Sequence, residues 1–163
     1  LFIVRRKIII DKNIFFIKGL LHEDMEWIPR LLCSQKDLTI DIFTKPFYLY
    51  RFNPNSITGT FSQKRFDSLI KIISDLSKWI IKEPKNLFLK KWFNMNLYTL
   101  ILFLEKDCIL NSNFYKLNKS CLFDTLKNNY RLLNSRNKII FIIMKVNLKI
   151  LFILRKKIKG MKR

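Results

Sequence analysis

Between Ser62 and Pro84 the chain repeats one spacing: Phe66, Leu69, Ile70, Ile73, Leu76 and Ile80 recur at steps of three and four. That period puts them on one side of an α-helix, and Lys64, Lys71, Ser74, Asp75, Lys78 and Lys82 fall mostly off the stripe. Thr60 or Ser62 supplies a side-chain oxygen for a free backbone N–H at the start. Pro84, with no N–H of its own, stands just past the end. A helix of about 30 Å with one buried face is therefore fixed early, and it requires other elements to cover that face.

The rest of the pattern supplies such elements. Helices are expected at 86–107, 120–133 and 138–159, the last with a partial strand alternative because Ile139–Ile143 is nearly continuous in β-branched residues. The acidic run His22-Glu23-Asp24-Met25-Glu26-Trp27 opens a short helix. Asn111-Ser112-Asn113 and Asn134-Ser135-Arg136-Asn137 read as loops. Only three glycines occur, which argues against a hairpin-rich protein. The fold class expected is mainly α: a small helical bundle with long basic N- and C-terminal extensions.

Charge narrows the function. The 163 residues hold 32 Lys+Arg against 12 Asp+Glu, a formal +20. The excess is uneven: +2 over residues 1–35, +3 over 36–84 and +15 over 85–163. A balance this far from zero suits a partner that is an anionic polymer or surface. With 49% hydrophobic residues the chain is no disordered basic arm. Ile, Lys, Phe and Asn make up 76 residues and Ala none, the signature of AT-rich coding, for which an organellar gene is the leading reading and an AT-rich nucleus or endosymbiont the alternative. A first residue other than Met fits non-standard organellar initiation, N-terminal processing or a start upstream of Leu1, and Arg5, Arg6 and Lys7 cut the first apolar stretch too early for a secretory signal.

Catalysis is not expected. His22, Glu23 and Glu26 lack a second His at metalloprotease spacing, Gly59 stands outside any Gly-rich phosphate loop, and no residue set indicates a cofactor or a small-molecule substrate. Cys33, Cys108 and Cys121 show no C-x-x-C spacing and are an odd number, so neither a metal site nor a disulfide framework is expected. Leu97–Leu104 is too short to span a bilayer, and Lys138–Leu154 contains Lys145, Asn147 and Lys149, with each lysine costing about 3 kcal/mol at mid-membrane. No transmembrane span is expected.

The turn before the long helix carries the most specific signal. Pro54-Asn55-Ser56-Ile57-Thr58-Gly59-Thr60, then Lys64, then the amphipathic helix with Leu69 and Ile73 and the exit to Pro84, resembles small-subunit ribosomal protein 18 of bacteria and organelles. Lys36-Asp37 stands where that family begins a short helix ahead of the turn. The resemblance covers residues 36–84, leaving 1–35 and 85–163 as extensions.

It implies a noncatalytic helical protein on the platform of the small ribosomal subunit, binding rRNA beside neighbouring ribosomal proteins, small-subunit protein 6 among them. Carried over residue by residue, it implies RNA contacts at Thr58, Thr60, Ser62, Lys64, Arg65 and Lys71. The family's Arg before the tetrapeptide is here Asn55-Ser56, and its closing basic cluster is here Ser74, Asp75 and Ser77 beside Lys78. Binding is therefore expected to move into the C-terminal extension, whose end, residues 155–163, has six basic residues in nine; Arg155, Lys156, Lys157 and Lys159 are the candidates. Phe88, Trp92, Phe93, Tyr98, Phe114, Tyr115 and Tyr130 lie among basic residues and are candidate base-stacking rings.

The expected function is a structural constituent of a mitochondrial small ribosomal subunit, with a plastid-type organelle as the alternative location. The rival is a basic accessory subunit of an inner-membrane respiratory complex lying on anionic lipid.

Overall fold

The computed structural model describes residues 3–34, 39–41, 44–46, 48, 49, 51, 62–109 and 113–146. These fold into six α-helices and a 3₁₀ turn, with no strand among them. The helices are α1 (Arg6–Asp11), α2 (Glu23–Leu32), α3 (Gln63–Lys82), α4 (Leu87–Ile109), α5 (Asn113–Asn128) and α6 (Ser135–Val146).

Helix α3 is the one its stripe predicts. Ser62 caps it, Oγ accepting the Arg65 N–H at 3.2 Å, and Glu83 closes it ahead of Pro84. Phe66, Leu69, Ile72, Ile73, Leu76 and Ile80 are buried. The inward face is thus rotated slightly from the sequence reading, with Ile72 inside and Ile70 at the core margin. Each fully buried aliphatic or aromatic side chain contributes roughly 1.5–3 kcal/mol.

α3 packs chiefly against α4, and α2 and α5 each touch both of these helices. Asn86 caps α4, its Oδ1 accepting the Leu89 N–H at 3.0 Å. Leu89, Phe93, Leu97, Leu100, Ile101 and Phe103 of α4 join one core with α3, with Leu122 and Leu126 of α5, and with Ile140, Phe141 and Met144 of α6. A smaller cluster of Ile14, Trp27, Ile28 and Leu31 secures the N-terminal segment, and Trp92 touches both clusters.

The acidic run does open a helix: Glu23, Asp24 and Glu26 sit in the first turn of α2, where the helix dipole favours negative charge. Pro29 lies inside α2 and has no N–H for the Met25 carbonyl four residues back. Trp92 Nε1 of α4 donates to that carbonyl at 2.7 Å.

Two sequence expectations are corrected, and of the two readings of 139–143 the helical one holds. α5 begins at Asn113, seven residues before the expected start, and gives way to a 3₁₀ turn at Tyr130–Leu132. Residues 135–137 are the first turn of α6, with Asn134 Oδ1 capping the Asn137 N–H at 2.9 Å. Ile139–Ile143 is helical throughout, because the spacing of Asn137, Ile140, Phe141 and Met144 buries one helix face. Of the short helix expected from Lys36-Asp37, both residues of that pair lie outside the described ones, and 39–41 and 44–46 carry no regular structure.

Candidate nucleic-acid interface

The outer side of α3 meets the loop that precedes α2. Gly19 has φ +80, a left-handed conformation that glycine adopts without strain, and it turns the loop toward the helix. Ser68 Oγ then fixes the loop, accepting the Leu21 N–H at 3.1 Å while donating to the Lys64 carbonyl at 2.7 Å. The result is an open depression of about 390 Å³ in which Lys18 joins Lys64 and Lys71. One carboxylate, Asp67, lines it and accepts from Gln63 Nε2 at 2.8 Å.

The sequence-derived contacts separate here. Lys64 and Lys71 are exposed on this face. Lys71 Nζ is 2.9 Å from Asp75, which also meets Lys78 at 3.6 Å. Exposed pairs of this kind contribute about 0–1 kcal/mol, so Lys71 can exchange Asp75 for a phosphate at small cost. Ser62 is engaged as the α3 cap.

Arg65 turns inward: its Nε donates to His22 Nε2 at 2.8 Å, and its guanidinium lies 4.6 Å from the centre of the Phe103 ring. Burial lowers its pKa from the ordinary value. Burial, and then the Arg65 charge, likewise lowers the pKa of His22. Thr58, Thr60, Arg155, Lys156, Lys157 and Lys159 lie outside the described residues.

Lys18 was not legible as part of this set, because a hydrogen bond spanning 47 residues places it there. Its only local signal is the adjoining Gly19 between apolar stretches.

The candidate rings also divide. Phe93 is fully buried; Phe88, Trp92 and Tyr98 are half-buried; Tyr130 is exposed. The guanidinium of Arg136 lies 4.0 Å from the Tyr98 ring centre. The side chains of Phe114 and Tyr115 are outside the described set.

Within the acidic run, His22, Glu26 and Trp27 have structural partners. Glu26 is buried and takes two hydrogen bonds from Arg30, at 2.8 and 2.9 Å. Cys33 and Cys121 are free thiols, and burial raises the Cys33 pKa.

Across the described residues only three ion pairs form: Glu26–Arg30, Asp75–Lys71 and Asp75–Lys78. Most of the chain's described cationic groups thus have no carboxylate within salt-bridge distance. No helix among the described residues is long and apolar enough to cross a membrane. Compared with known families, curated proteins and solved structures, the chain gives no match.

Proposed function

We propose that the chain is an rRNA-binding structural constituent of a mitochondrial small ribosomal subunit. The observation that carries the proposal is the cluster of Lys18 with Lys64 and Lys71 at one open face of α3, the helix that the Ile57-Thr58-Gly59-Thr60 tetrapeptide precedes in the sequence. Lysine ammonium groups displace the counterions condensed on RNA, and the released ions drive association. The protein works by neutralising phosphates so that RNA helices approach one another. Arg65 contributes by holding the start of α3 against α2 through His22. Neighbouring small-subunit proteins, protein 6 among them, complete its surroundings.

The test is sedimentation of mitochondrial lysate through a sucrose gradient with and without RNase. Co-migration with the small ribosomal subunit that collapses on RNase treatment is the expected result. An RNase-indifferent, detergent-dependent particle would overturn it.

One observation favours the second reading, an accessory subunit lying on anionic lipid: α6 exposes Ile139 and Ile142 between Lys138 and Lys145. Release from membranes only by detergent, and not by salt, would select that reading.

A further inference from the structure

The surface built by α5, the 3₁₀ turn and α6 holds three rings in contact. Phe141 lies between the other two, its centre 5.9 Å from that of Phe123 and 6.0 Å from that of Tyr130, with planes inclined by 50° and 53°. Each ring carries its own lysine: Lys119 is 5.7 Å from the Phe123 centre, Lys138 is 5.4 Å from Tyr130, and Lys145 is 4.8 Å from Phe141. The attraction of an ammonium for the ring face holds these cations over the aromatic cluster instead of leaving them splayed in water.

Charge is one-sided here. Residues 113–146 contain seven basic residues and a single acidic one, Asp124. Among the described residues none of the three lysines forms an ion pair. Phe141 is buried, whereas Tyr130 is 40 % exposed, so one ring of the cluster is open to a ligand.

We propose that this surface binds unpaired RNA, with a base stacked on Tyr130 and Lys119, Lys138 and Lys145 neutralising the adjoining phosphates. A duplex keeps its base faces stacked and offers an exposed tyrosine nothing beyond phosphates and groove edges, whereas an unpaired strand offers both base and phosphate. Lipid fits less well: among its described side chains α6 spends Ile140, Phe141 and Met144 on the core, leaving Ile139 and Ile142 exposed and Ile143 half-buried where an interfacial helix needs a continuous apolar face. The inference rests on the proposed RNA-binding role, and it adds a second surface of different preference from the α3 face.

The test uses the full chain with a fluorescent oligouridylate and an RNA duplex of equal length. Tyr130→Leu weakens oligouridylate binding roughly tenfold and leaves duplex binding nearly unchanged, while Tyr130→Phe behaves as the parent. Lys138→Gln with Lys145→Gln lowers the log–log salt slope for oligouridylate by about 1.4, the value for two lost phosphate contacts on a single strand. Circular dichroism checks that each variant keeps its helices. Parent-like oligouridylate binding by Tyr130→Leu would overturn the surface and leave the RNA-binding role standing. Failure of the parent chain to bind either RNA, with binding to phosphatidylglycerol vesicles instead, would overturn both.

Discussion

The indole N–H of Trp92 occupies the hydrogen-bonding position at the Met25 carbonyl that Pro29 cannot fill. A proline in a helix interior removes one backbone bond, and here a residue 67 positions downstream of Met25 supplies the donor. Helix α2 is thereby tied to α4 at its one backbone defect.

That relationship predicts a coupling. Trp92→Phe keeps most of the ring but strands the carbonyl, destabilising the protein by about 1–3 kcal/mol. With Pro29→Ala in place, residue 29 donates to Met25 itself, and the same Trp92→Phe change costs less. Urea unfolding of the parent, both single variants and the double variant measures the coupling.

The buried asparagines of α4 should respond in opposite directions. Asn94 accepts the Asn134 N–H at 2.8 Å, donates to the Lys90 and Leu132 carbonyls, and meets Asn137 Nδ2 at 2.9 Å. Asn94→Leu strands several of these groups and is expected to cost about 3 kcal/mol. Asn96 is equally buried, but its Oδ1 has no partner and its amide bonds only the Trp92 carbonyl of its own helix. Asn96→Leu removes an unpaired polar atom and is expected to raise stability by about 1 kcal/mol. Thermal melting distinguishes the two.

His22 makes stability depend on pH. Burial first, then Arg65, lowers its folded pKa below the ordinary 6.5; Asp24 and Glu23 pull the other way without reversing the shift. The unfolded chain therefore takes up a proton at a higher pH than the folded one. The contribution is complete above the unfolded pKa and is lost as pH falls through the folded value, where protonation at Nε2 breaks the bond from Arg65. His22→Gln should flatten the unfolding midpoint between about pH 7 and pH 5 relative to the parent.

Ser62 acts as a helix cap whatever it contacts besides. Ser62→Ala should lower stability by about 1 kcal/mol, and Ser62→Asp should restore it. Denaturant midpoints decide the matter without RNA present.

α3 was readable because three independent signals agree on it: a cap at Ser62, a stripe of one period and a stop at Pro84. The start of α6 was not, since Asn134-Ser135-Arg136-Asn137 has loop composition and only the partners of those side chains reveal their use. Asn134 caps the helix and Asn137 bonds Asn94 across 43 residues. Local composition cannot distinguish a polar residue facing water from one satisfied inside a core. For the same reason local composition does not separate Lys64 and Lys71, which are exposed, from neighbouring Arg65, which turns toward His22.

Among the described residues, the principal core takes its first buried member from Phe66 and its last from Met144. During synthesis from the N-terminus, Phe66 therefore emerges well ahead of Met144. At about 5–20 residues per second, the interval from Phe66 to Met144 is on the order of 4–16 seconds. Until Leu89–Phe103 of α4 have emerged, the apolar face of α3 lacks its chief partner, and the α5 and α6 members of the core arrive later still. On the proposed RNA-binding role, early capture of such a strongly cationic nascent chain by the polyanion would shorten the time that face spends in water.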